Sequence, residues 1–343
     1  MTPAFKVTAN DKDITTALAR RLISISVNQE INQASGAARG TSHTCDIELD
    51  DRDAGIKFPN TGALLDVSIG YKETGIIRKG TFRVDELEVE GPERRLLIRA
   101  RAADTNAPAA MPQLMAAKRR SWDQTTIGAI ASQVASENGW AVSIDADIAS
   151  FPIDHLDQVE SNASLLQQLA ELPADAYCSF AGGKIVMAHI GSGRTATGKI
   201  LPRITIPVAN ALSWHAVFTV RTKHNKVTAT FHNLKTGKLE SVTASAPASN
   251  SEDGEEEDSE TTLPFPYSNQ PSAAGAANAK LAVLQRGSET VSLTIIGNPQ
   301  VAAGGQVVLS GFRAGVDRTW IVAKAEHKID ESGYTTEIEG IKL

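Results

Sequence analysis

Residues 99–139 read R-A-R-A-A-D-T-N-A-P-A-A-M-P-Q-L-M-A-A-K-R-R-S-W-D-Q-T-T-I-G-A-I-A-S-Q-V-A-S-E-N-G, and the hydrophobic periodicity of the chain changes within them. Before this stretch, apolar and polar residues alternate, as in half-buried β-strands. After Trp122 the apolar residues take the i, i+3, i+4, i+7 spacing of one helix face, at Ile127, Ile130, Ala131 and Val134. The stretch therefore predicts a transition from a β domain into a module that contains helices.

The N-terminal side of this transition predicts a first antiparallel β domain over residues 1–105. Apolar residues alternate with polar ones over 45–49, 65–71 and 96–100, and turns rich in Gly, Pro, Asp and Asn separate these runs. Phe82 and Val84 share one phase of the alternation, whereas Leu87 and Val89 share the other, which predicts a β-bulge between them. Short strands with regular turns are typical of an antiparallel barrel or sandwich.

The C-terminal side of the transition predicts a linker and a small α+β module. Residues 106–120 read as the linker, and the module occupies residues 121–195. Ser121 is the predicted N-cap of a first helix, with Gln124 completing a capping box, and Asn138-Gly139 is its predicted end. The remaining predicted elements are a helix from Asn162 to Leu172 and strands near Val142–Ile144, Ala176–Phe180 and Lys184–His189.

Strand periodicity returns at Leu201 and predicts a second β domain over residues 196–343. Predicted strands include 214–220, 227–231, 291–296, 307–309 and 320–327, and the tail Tyr334–Ile341 is expected to pair with the last of them. The Ala-rich run Ala273–Gln285 predicts a helix, and the polar segment at about 244–267 predicts a mobile loop. The predicted fold is thus mainly β, with an α+β insertion between two antiparallel β domains.

Charge and cysteine content exclude several classes of function. The formal net charge is −6, and seven acidic residues cluster between Glu252 and Glu260. Without that cluster acidic and basic residues are almost balanced, so the chain lacks the overall basic charge of a nucleic-acid-binding protein. Cys45 and Cys178 have no metal-binding spacing, and no apolar run approaches a membrane span, so we expect a chain made in the cytoplasm.

The search for an active site yields candidates but no complete motif. The seven histidines, His43, His155, His189, His215, His224, His232 and His327, contain no pair with zinc-site spacing. The glycine-rich segments at 190–193 and 302–305 lack the features of phosphate-binding loops and predict turns. The acidic cluster lacks EF-hand spacing and predicts a solvated segment. No catalytic, cofactor-binding or metal-binding residue is therefore assigned.

Two charged segments each allow a functional and a structural interpretation. Asp154 and Asp157 flank His155, near Glu160, as in an acid–base cluster, but a solvated loop before the second helix is the favoured interpretation. Lys118-Arg119-Arg120 beside Trp122 could contact nucleic acid, but a charged joint is favoured. In that joint we expect Trp122 to be buried between domains.

Eight segments, in order over nearly the whole chain, carry a resemblance to a known family. They are D-I-T-T-A-L-A-R-R-L-I-S-I-S-V (13–27), C-D-I-E-L-D-D-R-D (45–53), P-N-T-G-A-L-L-D-V-S-I-G-Y (59–71), G-T-F-R-V-D-E-L-E-V-E-G-P (80–92), I-R-A-R-A-A-D (98–104), K-R-R-S-W-D-Q-T-T-I-G (118–128), I-D-H-L-D-Q-V-E-S-N-A-S-L-L-Q-Q-L-A (153–170) and G-N-P-Q-V-A-A-G-G-Q-V-V-L-S-G-F-R (297–313). Together they resemble the late control protein D family of contractile-tailed temperate phages, whose members are baseplate or tail hub proteins. The acidic cluster lies outside these segments.

The resemblance implies a fold and a set of partners. It implies two β-barrel domains similar to tail-tube subunits, with the α/β module between them, and a homotrimeric ring of six barrels. Such a ring adapts a six-fold tail tube to a three-fold central spike. The implied partners are further copies of the chain, the tail spike and tail tube proteins and, beyond these, the tape measure protein and other baseplate proteins. The implied location is the tail baseplate of the virion, and a near-neutral or acidic body suits a channel for DNA.

Two alternatives to the phage hub remain open at this point. One is a tail enzyme whose module at Ser121–Ser192 binds or cuts peptidoglycan, with Asp154 and Asp157 near Glu160 as its carboxylates. The other is the similar hub of a phage-tail-like bacteriocin or secretion particle. Since no complete catalytic motif is found, the non-enzymatic hub is the favoured interpretation, with no cofactor, no specific nucleic-acid binding and no membrane insertion.

Overall fold

The fold is described from a computed structural model, and strands dominate it. It describes residues 1–31, 41–60, 62–103, 111–172, 176–181, 183–193, 200–219, 224–233, 236–245, 259–264, 266–267, 269–286 and 289–343. The strands form one sheet of thirteen strands and three smaller sheets within this part of the chain. The mainly β fold with an α/β insertion is confirmed.

The N-terminal part of the chain forms an antiparallel array with an apolar core. Its elements are β1 (Pro3–Ala9), β2 (Lys12–Asp13), α1 (Thr15–Ala19), β3 (Leu22–Ile31), β4 (Thr41–Asp50), β5 (Leu64–Tyr71), β6 (Gly75–Glu90) and β7 (Arg95–Ala102). The strands pair in the order β3-β4-β7-β6-β5-β1-β2. The alternating apolar residues point into the core, and the register of β6 shifts between Val84 and Glu86, which confirms the predicted bulge.

The inserted module packs its helices against short strands. Its elements are α2 (Met111–Met115), β8 (Arg120–Thr126), α3 (Ile127–Asn138), β9 (Ala141–Ile144), α4 (Ala146–Ala149), β10 (Pro152–Gln158), α5 (Asn162–Glu171), β11 (Ala176–Ala181) and β12 (Lys184–His189). The apolar face Ile127, Ile130, Ala131 and Val134 is fully buried, and Gly139 at φ 67° ends α3, as predicted. Leu114, from the predicted linker, also lies in this core with no exposed surface.

The predicted start of the first module helix is wrong. Ser121 and Gln124 lie in β8, which pairs antiparallel with β10, and α3 begins at Ile127. Thr126 is the N-cap, because its side-chain oxygen accepts a hydrogen bond from the backbone N–H of Ala129. A capping-box pattern requires only residue types, so it cannot exclude a strand that gains its hydrogen bonds from a distant partner.

The C-terminal part of the chain contributes the remaining described strands and a helix of 17 residues. These elements are β13 (Ile204–Pro207), a 3-10 turn (Val208–Asn210), β14 (Ala211–Phe218), β15 (His224–Asn233), β16 (Lys238–Ser245), β17 (Ser259–Thr262), α6 (Gln270–Arg286), β18 (Glu289–Ile296), β19 (Gln306–Ser310), β20 (Thr319–Asp330) and β21 (Gly333–Lys342). The C-terminal strand β21 pairs with β20, which confirms the prediction for the tail.

The strands of the two predicted β domains join in one continuous sheet. Strand β20 pairs antiparallel with β3, from Lys324 opposite Glu30 to Ile329 opposite Ile25. Ile329 and Tyr334, from the C-terminal strands, accordingly pack in the N-terminal core. A pairing between strands about 300 positions apart cannot be predicted from local periodicity. The periodicity of each strand shows which of its faces is apolar, but not which strand it pairs with.

Residues 224–286 include a separate small unit. Strands β16, β15 and β17 form their own sheet, and α6 covers it through Ala273, Ala277 and Leu281. The sequence interpretation placed Val227–Phe231 in the second β domain's own strands and Ser259–Thr262 in a mobile loop. Both segments instead belong to this small sheet. Residues 246–258, with most of the acidic cluster, lie outside the described residues.

An apolar contact attaches the module to the main sheet. Tyr177, Ala188 and Ile190 of the module pack against Ile321 and Ile341 of β20 and β21. The next residue, Gly191, has φ +85°, and a Cβ atom there would lie 2.5 Å from the Cδ1 atom of Ile321. A glycine is therefore required where the chain passes this close to the sheet.

Candidate assembly surface

Strand β14 is a free edge of the main sheet with an uncovered apolar side. Among the described strands it pairs only with β18, so one row of its backbone N–H and C=O groups faces outward. Trp214 lies opposite the core residue Leu293, so its side chain is on the core face of the sheet. Nevertheless Leu212, Trp214 and Phe218 are 60%, 42% and 47% exposed.

The exposed core face extends around β14. The Trp214 ring contacts the Phe312 ring edge-on with centroids 5.6 Å apart, and Val208, in the turn before β14, is 41% exposed. Exposed edge strands promote pairing with another chain, and a contiguous apolar patch marks an interaction surface. We call this set of residues, Val208, Leu212, Trp214, Phe218 and Phe312, the β14 seam. It is the candidate assembly surface.

The opposite face of the same strands is polar and mainly acidic. Ser213 and His215 line an open pocket there with Lys324, Glu326, Glu337 and Glu339. Glu326 and Glu337 are direct cross-strand partners, and Lys324 lies 3.4 Å from Glu339 and 4.0 Å from Glu326. Like charges placed opposite each other repel, so the single lysine offsets only part of this repulsion.

The basic segment before Trp122 is a structural joint inside the module. Lys118 and Arg120 contact the two carboxylate oxygens of Glu137 at 2.8 and 2.6 Å, and Arg120 also donates to Gln158 and Asn162. Partial burial opposes ionisation of Glu137, but the hydrogen bonds from Lys118 and Arg120 outweigh it and lower the pKa of the carboxyl. Lys118 and Arg120 therefore form a charged cluster within the module, whereas the sequence predicted a charged joint between domains.

Trp122 is buried, as predicted, but not between domains. It is 7% exposed and belongs to the module core, where its Nε1 atom donates to Oε1 of Gln158 at 3.2 Å. The Arg120 guanidinium lies 4.2 Å from the centroid of its ring. The sequence placed it at a boundary because it follows a predicted linker, yet β8 brings it into the module.

The Asp154–Asp157 segment is a strand rather than the predicted loop. On its exposed side, His155 Nδ1 lies 2.5 Å from Oδ1 of Asp123, and Nε2 lies 3.5 Å from Oδ2 of Asp157. The hydroxyl of Ser121 donates to Asp157, not to His155, and none of the hydrogen bonds of the described residues joins a hydroxyl nucleophile to the imidazole. Asp154 accepts a hydrogen bond from Asn269, just before α6, at 2.7 Å. The cluster has structural partners for each of these side chains.

Protonation of His155 is coupled to Asp123, which gives a testable titration. The hydrogen bond to Asp123 and the charges of Asp123 and Asp157 raise the pKa of His155 above 6.5. The stabilising contribution of this contact is thus complete below pH 6.5 and is lost as the pH rises through the folded-state pKa. We expect an NMR titration of His155 to show a pKa above 6.5, and Asp123→Asn to lower it. An unchanged pKa in Asp123→Asn would contradict the assignment.

Four other titratable candidates, His189, His327, Cys45 and Cys178, occupy buried or ion-paired positions. His327 and both cysteines are buried, and burial raises the pKa of the Cys45 and Cys178 thiols. His189 Nε2 lies 2.6 Å from Oδ2 of Asp147. Within the described ranges, no three His, Cys, Asp or Glu side chains are grouped so that they could hold a metal ion. None of the helices described is long and apolar enough to cross a membrane.

Comparison with known proteins shows the family. Residues 83–333 match the model of the phage tail baseplate hub (GPD) family. The probable baseplate hub proteins of Escherichia phages P2 and 186 are 31% and 30% identical to the chain, with 99% of the chain and 93% and 92% of those proteins covered. The tail protein from Neisseria meningitidis MC58 has a similar fold, with a TM-score of 0.66 at 14% identity over 100% of this chain and 97% of that one. The chain therefore belongs to the phage tail baseplate hub (GPD) family.

Proposed function

We propose that three copies of this baseplate hub protein close a ring in which the β14 seam of each copy is covered by a neighbouring copy. The single observation that carries this proposal is the exposure of Leu212, Trp214 and Phe218 on a free edge strand, with Trp214 and Phe218 on its core face. Full burial of an exposed large apolar side chain contributes about 1.5–3 kcal/mol. Since these three side chains are 42–60% exposed, covering them gives about half of that value for each.

The arrangement of the main sheet supports a closed ring. The main path of strands ends at β14 on one side and at the short strand β2 on the other, and β13 forms a further edge beside β19, so the edges of the sheet differ. Contacts between unlike surfaces generate a closed ring when the rotation between copies closes. Two β units in each chain would give three copies six similar positions, which suits a ring between a six-fold tube and a three-fold spike.

The proposed partners follow from this position in the tail. The ring contacts the tail spike protein on one side and the tail tube protein on the other, and the tape measure protein and other baseplate proteins adjoin it. The role is structural and non-enzymatic, since the described contacts of His155 leave it without a nucleophile to activate.

The charged face of the N-terminal strands is suited to a channel that DNA passes without adhering. Four of its arginines are paired with carboxylates, at Arg95–Glu48, Arg99–Glu86, Arg101–Asp85 and Arg78–Asp66. A paired guanidinium offers phosphate less net attraction than a free one, because the nearby carboxylate offsets its charge. A channel lined by unpaired basic residues in the assembled ring would contradict this part of the proposal.

The stoichiometry of the hub with its spike tests the proposal. We expect light scattering after size-exclusion chromatography to give a complex of three hub chains, each of 36.4 kDa, with three spike chains. The hub alone serves as the control, because assembly can depend on the spike. Failure to associate with either spike or tube, or a complex with another number of hub chains, would contradict the trimeric ring.

A further inference from the structure

A partly buried lysine lies where the β5–β6 hairpin meets the C-terminal part of the chain. Lys79 is the extra residue of a β-bulge, because Arg78 pairs with Ser68 and Gly80 pairs with Val67. The bulge leaves Arg78 pointing outward to Asp66 and turns Lys79 inward. Gly80 has φ +147°, which side chains rarely adopt. The local backbone is thus shaped to bring this amine inside.

The amine is held by groups from sequence-distant elements. Lys79 Nζ donates to the backbone carbonyls of Pro299 and Val301, at 2.8 and 3.3 Å, in the turn after β18. It also lies 2.8 Å from Nε2 of His327 on β20. These contacts join residues more than 200 positions apart, from the two halves of the main sheet.

His327 is itself fixed in a buried network. Its side chain has no exposed surface, and its Nδ1 atom lies 2.8 Å from Oη of Tyr334 and 3.2 Å from Oγ1 of Thr336. Burial and the nearby Lys79 lower the pKa of His327 well below 6.5, so it is neutral in the folded protein. An ammonium group at Lys79 therefore faces two neutral carbonyls and a neutral imidazole, whose Nε2 atom also lies 3.0 Å from the carbonyl oxygen of Val301.

Among the described groups that face Lys79, there is no compensating acid. His327 from β20 and the carbonyls of the 299–301 turn contact it, and Tyr334 from β21 contacts the Nδ1 atom of His327. Arg78, from its own strand, is directed away to Asp66. Tyr71 of β5 stacks near Tyr334, with ring centroids 5.2 Å apart. Taking a charge out of water without a counter-ion is costly.

We propose that Lys79 is a proton-sensitive latch: it holds the β5–β6 hairpin to the turn at residues 297–301 when its amine is neutral, and the contact loosens when the amine is protonated. This inference is independent of the trimeric ring, because all of its contacts lie within one chain.

The direction of the pH effect follows from the two states of the amine. Burial lowers the pKa of Lys79 to about 7, from 10.5 for a free lysine. At pH values between these two pKa values, Lys79 carries a proton when the contact is open and lacks it when the contact is closed. Closure of the contact therefore becomes more favourable as the pH rises. His327 acts in the same direction at lower pH, since its buried ring also resists protonation. Acidification therefore opens the latch.

Hydrogen exchange at several pH values tests the latch. After correction for intrinsic exchange rates, we expect the protection factors of amides in 76–82 and 297–301 to fall more than ~10-fold from pH 9 to pH 7.5 in the wild-type protein. Lys79→Met keeps an unbranched side chain without a titrating group, so its protection factors should stay constant over this range.

The wild-type protein contains an internal control that can be used if Lys79→Met does not fold. Amides in the module strands β11 and β12 lie outside the Lys79 contacts, and their protection should not follow the same pH dependence. The proposal is overturned if wild-type protection at 76–82 and 297–301 is independent of pH. It is equally overturned if Lys79→Met shows the wild-type pH dependence, or if the module strands change in parallel.

Discussion

Replacing Trp122 with alanine is expected to destabilise the inserted module by about 3–5 kcal/mol, the usual cost of removing a buried tryptophan. The indole is 7% exposed, packs in the module core and carries the Arg120 guanidinium on its face. Alanine would leave a cavity beneath Arg120, and a packed interior closes such a cavity only in part. The midpoint of urea unfolding, followed by a signal from the module, measures the effect.

Two control variants separate packing from hydrogen bonding. Trp122→Phe retains most of the apolar volume but loses part of the indole ring together with the Nε1 donor to Gln158, whose Oε1 atom still accepts from Arg120. It should cost less than Trp122→Ala, about 1–3 kcal/mol. Trp214→Ala removes the same side chain from a position that is 42% exposed and should destabilise the monomer much less. Equal effects of Trp122→Ala and Trp214→Ala would show that the module core does not depend on Trp122.

A carboxylate at position 214 is expected to abolish assembly while leaving the monomer folded. Trp214→Glu places a charge on the core face of the free strand β14, where the neighbouring copy is proposed to pack. Loss of a central tryptophan anchor costs an interface at least 2 kcal/mol, about 30-fold in affinity, and burying an unpaired carboxylate adds to that cost. Sedimentation of the hub with its spike gives the affinity.

The matched control changes an exposed apolar residue on a different edge strand. Val142 is 37% exposed on β9, the outer strand of the module sheet, so Val142→Glu adds the same charge away from the seam. We expect Val142→Glu to assemble like the wild-type protein. Normal assembly of Trp214→Glu, or equal loss in both variants, would remove the β14 seam as the subunit contact.

Much of the secondary structure is predictable because each element carries its own local signal. The period-2 runs in β4, β5 and β7 and the helical face of α3 each place apolar residues on one side. The bulge after Val84 could be read for the same reason, since a one-residue slip reverses the alternation. Which side of a strand or a helix carries the apolar residues is thus a local property of the sequence.

The errors occur where a distant partner decides the structure. Arg120–Thr126 becomes a strand because β10 supplies its hydrogen bonds, although its residue types suit a helix start. Strands β15, β16 and β17 leave the main sheet because α6 covers them as a separate unit. The local sequence pattern is the same whether or not these distant partners are present, so the pattern alone could not predict either outcome.

The candidate assembly surface could not be located from the sequence for a related reason. Trp214, Ala216 and Phe218 alternate like core residues, and they do lie on the core face. Only the position of β14 at the end of the sheet leaves Trp214 and Phe218 exposed. A core strand buries its apolar face within its own chain, and an interface strand buries its apolar face against a partner. Both therefore show the same alternation of apolar and polar residues.

A reconstruction of the assembled tail tip by electron cryomicroscopy tests the central claim most directly. We predict three hub chains in one ring above the spike, with the exposed side chains of β14, Leu212, Trp214 and Phe218, buried against a neighbouring copy. A ring with a different number of chains, or a β14 strand that remains open to solvent in the assembled tail tip, would contradict the account.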